Sequence, residues 1–417
     1  MMRSMFSAIS GLKNHQTFMD VVGNNIANVN TTGFKQSRVT FQDILSQTLR
    51  GASGPQGGRG GVNPEQVGLG VLISGVDTVQ TQGTLQSTGK LTDMAIQGDG
   101  YFAMSDGKQQ FFSRDGAFDL GIDGTLTNPS SGLHVLGWQA DPLTGTIDTT
   151  VPASNITVPI GAGMTGKAST TLSLAGNLNA NSAVTDTVDL SSTVYDAQGN
   201  AIPVTLTFTK SANNQWGITA ATTADPTVVA SVTYAPAGGV TFNGSGKVDT
   251  TIAGNGAGTL TVNLINGATA PLVVNVDLST MTQLAATSDL NSNTDGASAG
   301  SLTTFTVGAA GDITGIYSNG YKSPLGQIAL ASFANPSGLM KAGGNLFTAS
   351  ANSGTANIGT PDTAGRGQIA TGFLEGSNVD LAQQFTNMIM AERGFQANSR
   401  VITTSDEILQ DLVNIKH

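Results

Sequence analysis

The sequence predicts a mainly β protein with long terminal α-helices and a nested multidomain architecture. Its paired N- and C-terminal helices would form a coiled coil, and two antiparallel β domains would lie between them. Three observations support this fold class. Apolar residues recur at alternating four- and three-residue spacing near both chain ends. Short runs with period-two alternation fill the middle of the chain. Glycine, at 54 of 417 residues, supplies frequent turns.

The segment Ser377 to His417 predicts the longer helix. Its apolar stripe consists of Leu381, Phe385, Met388, Phe395, Ile402, Leu409 and Val413, and the remaining stripe positions hold Glu392, Ser399 and Asp406. Ser377, followed three residues later by Asp380, predicts a capping box at the start. One helix over this segment would be roughly 60 Å long at ~1.5 Å per residue. A helix of that length with a single apolar stripe needs a partner.

A second helix is predicted from about Ser4 to Asn28. Its stripe consists of Met5, Ile9, Leu12, Met19 and Ile26, with Gln16 and Gly23 in the two remaining positions. The helix is expected to end in the turn-forming run 28–33. From the pattern alone, two arrangements remain open: a helical hairpin closed within one chain, and a coiled coil that assembles with other copies. The residues predicted to carry self-assembly contacts are Ile9, Leu12, Met19, Ile26, Leu381, Phe385, Met388, Phe395, Ile402 and Leu409.

The chain divides into four predicted parts. Residues 1–30 with 378–417 form the helical domain, and residues 31–75 with 360–377 form a connecting region. The run 51–61 in that region is a Gly-rich loop without the spacing of a phosphate-binding motif. Residues 76–149 with 297–359 are predicted to be an inner β domain. Residues 150–296 are predicted to be an inserted outer β domain.

The β assignment of the inner domain depends on turn signals. Asp-Gly pairs punctuate its apolar runs, at Asp99-Gly100, Asp106-Gly107, Asp115-Gly116 and Asp123-Gly124. The run that starts at Asp119 half-matches a calcium loop. It has Gly121 at the third position and Ser130 at the twelfth, where ligands are required, so turn chemistry is the favoured interpretation.

The outer domain shows clear alternation. Val204, Leu206 and Phe208 alternate with threonines, which is typical of half-buried antiparallel strands. Two more alternating runs, 260–264 and 272–278, flank an Asn-Gly turn at 266–267.

Composition excludes several function classes. The chain has no cysteine, which excludes disulfides and cysteine nucleophiles. Only 11% of residues are charged, the net charge is −10 and no basic patch suggests nucleic acid. His15, His134 and His417 share no spacing that suggests a triad or a metal site. We therefore predict no enzyme, no catalytic residues, no metal and no cofactor. We also expect no membrane insertion and no cleaved signal peptide.

Both chain ends resemble one protein family. The run GNNIANVNTTGFK (Gly23–Lys35) and the run EGSNVDLAQQFTNMIMAERGFQANSRVITTSDEILQDLVN (Glu375–Asn414) resemble the terminal motifs of the bacterial flagellar rod and hook axial proteins. Phe112–Trp138 and the run VYDAQGN (Val194–Asn200) resemble β domains of that family. The residues that carry the terminal motifs are Asn24, Asn25, Asn28, Gly33, Phe34, Asn378 and Asp380.

The resemblance implies a structural protein that self-assembles into a helical homopolymer. It further implies export by the flagellar type III export apparatus to an extracellular position in the hook or basal body. The implied partners are other copies of the chain, the distal rod protein, the hook cap protein and the hook–filament junction protein.

Three functions remain in competition. The favoured one is a hook subunit forming a curved tube, a universal joint that transmits motor torque from rod to filament. The second is a distal rod protein forming a straight shaft; such chains are expected to be shorter and to lack the module at 150–296. The third, from another class, is a surface adhesin or carbohydrate-active β protein. This third function would predict a cleaved signal and gives no reason for a helix at each end.

Overall fold

Two α-helices bracket a β-rich chain in the computed structural model. The structure describes residues 2–55, 60–141, 144–161, 163–164, 166–236 and 239–414. The helices are Met2–Ala27 (α1) and Leu381–Asn414 (α2). With 34 residues, α2 is ~51 Å long at 1.5 Å per residue. His417 and residues 56–59 of the Gly-rich run lie outside the described residues.

The chain divides into two compact units. The first comprises Met1–Val158, Thr306–Thr314 and Pro324–His417, and the second comprises Pro159–Phe305 and Gly315–Ser323. This division is coarser than the four nested parts expected from the sequence, which remain predictions.

The first unit contains both helices and most of the strands. Its strands are Ser37–Asp43, Ser46–Arg50, Glu65–Gly68, Val71–Thr78, Leu85–Ser87, Met94–Gln97, Tyr101–Ser105, Gln110–Ser113, Asp119–Leu120, Leu126–Thr127, His134–Gln139, Ser154–Asn155, Leu330–Ser332, Met340–Gly343, Leu346–Thr348, Asn357–Gly359, Gln368–Thr371 and Phe373–Glu375. Three more strands run from one unit into the other: Gly300–Val307, Asp312–Tyr317 and Lys322–Ile328.

An antiparallel sheet forms the centre of the first unit. Tyr101–Ser105 pairs with His134–Gln139 on one side and with Gln110–Ser113 on the other. Leu346–Thr348 then pairs with Gln110–Ser113, although more than 200 residues separate them in the chain. The core contains Met94, Phe102, Met104, Phe118 and Val135, all completely buried. The turn-punctuated run at 99–138 therefore folds with a segment that returns to it after the second unit.

The connecting region contains two strand pairs that the sequence pattern does not predict. Ser37–Asp43 pairs with Val71–Thr78, and Ser46–Arg50 pairs with Glu65–Gly68. Together they form a two-stranded ribbon. The sequence pattern misses it because the second strand pair is short, polar and exposed on every residue, so it lacks the alternation that marks a half-buried strand.

The second unit is built from two sheets around one core. Its strands are Gly163–Met164, Thr171–Asn179, Thr187–Tyr195, Ala201–Ala212, Gln215–Thr222, Val229–Ala235, Val240–Thr241, Ala257–Leu264, Leu272–Leu284 and Asp289–Thr294. Nine of these strands form the two sheets, one with five strands and the other with four, and Gly163–Met164 pairs instead with Gly300–Val307. Side chains from both sheets form a continuous apolar cluster that includes Leu206, Phe208, Trp216, Leu260 and Val274.

The predicted alternation in this unit is confirmed. Val204, Leu206 and Phe208 are buried and the threonines between them are half-buried. Ala257–Leu264 and Leu272–Leu284 pair as an antiparallel hairpin. The prediction of purely antiparallel strands is wrong at one place, because Thr171–Asn179 pairs with Leu272–Leu284 in parallel. Parallel pairing requires a long crossover, and here the intervening strands supply it.

The run Val194–Asn200 forms a tight turn organised by a buried carboxylate. Oδ1 of Asp196 accepts hydrogen bonds from the backbone N–H groups of Gln198 and Asn200, and Oδ2 accepts from the amides of Asn200 and Asn266. Burial alone would raise the pKa of Asp196, but these hydrogen bonds hold it below its ordinary value. The turn is therefore fixed by a fully satisfied aspartate.

Candidate functional site: the terminal helices and their anchor

The helices α1 and α2 run antiparallel and lie in contact. In the first half of α1, Gly11 lies against Asn398 in the second half of α2. Near the end of α1, Asn25 donates a hydrogen bond to Oε1 of Gln384, in the first turn of α2, at 3.2 Å. Asp380 caps α2, since its Oδ1 accepts hydrogen bonds from the backbone N–H groups of Ala382 and Gln383. The predicted capping box from Ser377 is therefore wrong by three residues: Ser377 instead accepts from the N–H of Val379 within the preceding turn.

The contact seam of α2 differs from the predicted stripe. Gln384, Ala391 and Ser405 are buried, and Asn398 is half-buried. These small or amide residues recur every seven positions, one residue before the predicted positions Phe385, Glu392, Ser399 and Asp406. Glu392 and Asp406 are exposed, and Ser399 is half-buried. The pairing face within the chain is thus narrow and largely non-aliphatic.

Of the ten predicted self-assembly residues, three are exposed and seven are half-buried. Ile9, Leu381 and Phe385 are 48%, 40% and 51% exposed. The half-buried members of the set are Leu12, Met19, Ile26, Met388, Phe395, Ile402 and Leu409. Ile389 and Met390 add further exposed apolar surface to α2, at 57% and 54%. The two helices therefore cover only part of each other's apolar surface, and the role of these residues in assembly remains a prediction.

Glycine permits the close approach of the helices. A methyl group added at Gly394 would lie 2.6 Å from the ring of His15, and one at Gly11 would lie 2.7 Å from the amide of Asn398. His15 also lies beside Phe41 of the ribbon, with ring centroids 6.2 Å apart. The imidazole is therefore confined between α2 and the ribbon, and it cannot yield easily to a larger residue at 394.

We expect Gly394→Ala to destabilise the protein and Gly23→Ala to stabilise it. Alanine is favoured over glycine by up to about 1 kcal/mol within a helix, and a methyl group at Gly23 meets nothing within 4 Å. At Gly394 the contact with His15 opposes that gain. Thermal unfolding followed by circular dichroism at 222 nm would measure both variants. Equal stabilisation by the two substitutions would contradict the close approach at Gly394.

Two motif asparagines fasten the helices to the connecting segment. The side-chain amide of Asn25 forms two hydrogen bonds with the backbone of Ser37. Its Oδ1 accepts from the N–H of Ser37 at 2.9 Å, and its Nδ2 donates to the carbonyl of Ser37 at 2.8 Å. Oδ1 of Asn378 accepts from the N–H of Gln36 at 2.7 Å, while its Nδ2 donates to the carbonyls of Val79 and Thr81. Each amide replaces a missing strand partner for otherwise unsatisfied backbone groups.

The remaining motif residues shape the turn after α1. The Nδ2 of Asn28 donates to the carbonyl and to Oδ1 of Asn24, which closes the last helical turn. Gly33 has a positive φ of 66°, and a Cβ there would lie 2.6 Å from the backbone nitrogen of Asp115. Only glycine satisfies both conditions without strain. Phe34 is buried next to this turn.

A buried ion cluster joins this turn to the start of α2. Lys35 Nζ lies 2.6 Å from Oε1 of Glu375, and Arg114 Nη1 lies 3.3 Å from Oε2. The three side chains are 1%, 0% and 3% exposed. Oε1 of Glu375 also accepts a hydrogen bond from the N–H of Gly83, and its carbonyl accepts from the N–H of Gly33. Glu375 therefore links four segments that are distant in sequence, counting its own.

The electrostatics of the cluster are those of a structural site. Burial lowers the pKa of Lys35, and the adjacent carboxylate of Glu375 acts in the opposite direction. The guanidinium of Arg114 lies 5.3 Å from the ring centroid of Tyr101, and burial raises the pKa of that phenol to about 12. Tyr101 donates its hydroxyl proton to Gln80. These groups fix the turn, and the sequence interpretation did not single them out.

Among the described residues, no group of three His, Asp or Glu side chains could hold a metal ion. His15 lies on α1 and His134 lies on a strand of the first unit. None of the described helices is long and apolar enough to span a membrane.

Four family models match the chain. They describe a flagella basal body rod protein (residues 5–35), the flagellar hook protein FlgE/F/G D1 domain (95–180), the flagellar basal body protein FlaE D2 domain (167–297) and the flagellar basal body rod FlgEFG protein C-terminal region (370–415). Their order along the chain follows the order of the helical and β segments described above.

Three similar proteins match over the full length. The flagellar hook protein FlgE of Borreliella burgdorferi is 40% identical over 442 residues, and that of Treponema pallidum is 41% identical over 466 residues. The flagellar basal-body rod protein FlgG of Bacillus subtilis is 33% identical over 417 residues. All of this chain and all of each relative are covered.

A solved structure shows a similar fold. The crystal structure of the Helicobacter pylori flagellar hook protein FlgE2 matches with a TM-score of 0.53 at 15% identity. The match covers 70% of this chain and 100% of the other.

Proposed function

Because the chain belongs to the flagellar FlgE/F/G family of hook and rod proteins, we propose that it is the structural, non-enzymatic subunit of a bacterial flagellar hook. The observation that carries this function is the full-length similarity to two proteins named hook protein FlgE, at 40% and 41% identity. The subunit assembles with copies of itself into a curved helical tube, which transmits torque from the rod to the filament as a universal joint.

The terminal helices form the inner part of this tube. Support comes from the apolar surface that α1 and α2 leave uncovered, with Ile9, Phe385 and Ile389 about half exposed. A chain that works alone would cover such a surface. Neighbouring copies cover it in the polymer, where the helices pack as a coiled coil. The four nested parts expected from the sequence then order the subunit from the tube interior outwards.

Assembly takes place outside the cell. The flagellar type III export apparatus exports the chain unfolded and without a cleaved signal. The chain folds at the growing tip beneath the hook cap protein. The finished tube joins the distal rod protein at one end and the hook–filament junction protein at the other. The absence of cysteine is compatible with this route, because no disulfide has to form after export.

A distal rod protein is the second candidate. The observation that favours it is the 33% full-length identity to the protein named FlgG in Bacillus subtilis. Hook and rod differ in the curvature of the polymer. Concentrated protein examined by negative-stain microscopy should form tubes, and curved tubes support the hook. Straight tubes support the rod, and the absence of tubes at any concentration contradicts both functions.

The second unit should control the curvature. Its outward-facing strand residues are mostly Thr, Ser and Asn with few charges, which gives shallow contacts with little direction. Such contacts let neighbouring subunits slide while the inner helices hold. We expect a variant with residues 150–296 replaced by a short linker to assemble into tubes of altered curvature. Micrographs showing unchanged curvature would exclude sliding of the second unit as the source of bending.

A further inference from the structure

The turn at 121–124 presents an isoleucine entirely to solvent. Ile122 is 110% exposed, the largest fraction among the exposed large apolar residues described. The turn is held by hydrogen bonds from Gly121 N–H to the Thr125 carbonyl at 2.8 Å and from Gly124 N–H to the Gly121 carbonyl at 2.9 Å. Single exposed apolar residues are common, so exposure alone marks no contact. An exposed apolar residue on a rigid turn, with a charge next to it, is a more specific indication of a contact.

Asp123 supplies that charge. Its Oδ1 accepts hydrogen bonds from the hydroxyl of Thr125 at 2.7 Å and from its N–H at 3.1 Å. These bonds lower the pKa of Asp123, so the carboxylate stays ionised at neutral pH. The turn therefore displays an aliphatic side chain followed directly by an anion, both on a fixed backbone.

The same unit carries a pocket with the complementary character. The cavity has a volume of about 190 Å³, and Phe34, Leu346 and Phe347 line its apolar part. Lys341 lies at this pocket with its Nζ 5.3 Å from the ring centroid of Phe34, and it donates to Oγ of Ser37 at 3.0 Å. In the described part of the chain no carboxylate forms an ion pair with Lys341.

Access to the pocket is open. Gly343 and Gly344 form the tip of the adjacent hairpin with φ values of 90° and 57°. A Cβ added at either position meets nothing within 4 Å. No side chain at these two positions closes the entrance, and the left-handed backbone disfavours any residue that would.

We propose that Ile122 of one copy inserts into this pocket on a second copy, where Asp123 pairs with Lys341. The inference rests on the proposed function, because a polymer is what brings the copies together. The space is sufficient, since a cavity of about 150 Å³ can hold benzene and isoleucine has four side-chain carbons. The turn and the pocket belong to different segments of one unit, so in the proposed helical tube the contact is heterologous and repeats from copy to copy.

The test uses the absence of native cysteine. Subunits carrying only Ile122→Cys are mixed with subunits carrying only Leu346→Cys, assembled into tubes and treated with a short bismaleimide. We expect a cross-linked dimer that requires both variants, and long covalent ladders when both substitutions are in one chain. The matched control replaces Ile122→Cys with Val151→Cys, an apolar residue of the same unit that is 50% exposed, and should give at least tenfold less dimer.

A charge variant gives an independent readout. Lys341→Glu should raise the protein concentration needed for tube formation about tenfold or more, because a like charge then faces Asp123. Lys341→Gln, which removes the charge without reversing it, should have a smaller effect. Tubes that form normally but give no dimer above the Val151→Cys control would overturn this contact and leave the hook function intact. A failure of the unmodified chain to form tubes would instead overturn the function and this contact with it.

Discussion

Glu375→Gln is expected to lower the free energy of unfolding of the first unit by about 3–5 kcal/mol, the usual cost of removing one partner from a buried ion pair. The substitution keeps the size of the side chain. It removes the anion that lies 2.6 Å from Lys35 Nζ and 3.3 Å from Arg114 Nη1. Two cations would then remain buried without a counter-charge.

Tryptophan fluorescence can follow this unit alone. The chain has two tryptophans, Trp138 in the first unit and Trp216 in the second. Urea unfolding in a Trp216→Phe background therefore reports the first unit. The matched control is Asp119→Asn, which breaks the ion pair between Asp119 and Lys90. The side chain of Asp119 is 57% exposed and that of Lys90 is 49% exposed. An exposed pair of this kind contributes about 0–1 kcal/mol.

A double variant separates charge from shape. Lys35→Met in the Glu375→Gln background should recover part of the lost stability, because it removes one of the uncompensated cations. If Glu375→Gln alone unfolds within 1 kcal/mol of the parent, the cluster is hydrated and does not anchor the turn. If Lys35→Met adds its full cost to that of Glu375→Gln, the two groups do not act as a pair.

Local periodicity was enough to predict the two helices and several strands, among them the alternating strands of the second unit. The threonine alternation at 204–209 gives a strand because successive side chains point to opposite faces. The turn residues Asn266 and Gly267 then place the hairpin that follows. Such signals lie within a few residues of one another, so a single sequence contains them. The strand pair Ser46–Arg50 and Glu65–Gly68 was not predicted, because all of its residues are exposed and it therefore shows no hydrophobic alternation.

The register of the helix pair was predicted only in part, for a physical reason. A search for large apolar residues selects Phe385, whereas the chain pairs its helices through Gln384 and Ala391. Small and amide side chains permit close approach but carry no hydrophobic signal. Glycine at positions 11 and 394 was the available indication, since glycine within a helix is costly unless something packs against it.

The ion cluster lies beyond local prediction. Lys35 and Glu375 are separated by 340 residues, and the sequence around either residue does not indicate that the other is its partner. Their context does offer a hint, because charged residues are only 11% of the chain and both stand at the ends of the family-like runs. A rare charge at the edge of a motif is a reasonable candidate for a buried partner.

Phe385→Ser is expected to impair assembly while leaving the isolated subunit folded. Phe385 is 51% exposed, and substitutions of exposed residues usually change stability by less than about 0.5 kcal/mol. In the proposed polymer we expect the ring to be buried against a neighbouring copy. Burying such a side chain contributes roughly 1.5–3 kcal/mol, and each 1.4 kcal/mol corresponds to about tenfold in an equilibrium constant. The concentration at which tubes form should therefore rise roughly 10- to 100-fold.

Sedimentation of tubes across a concentration series measures this threshold, and circular dichroism measures the stability of the subunit. Two variants of the same helix serve as references. Thr386→Ala changes an exposed residue next to Phe385 and should leave both quantities nearly unchanged. Ala391→Leu enlarges a completely buried residue of the α1–α2 contact, so it should destabilise the subunit itself. If Phe385→Ser reduces subunit stability as much as Ala391→Leu does, Phe385 belongs to the internal contact, and the assembly surface must lie on another face of α2.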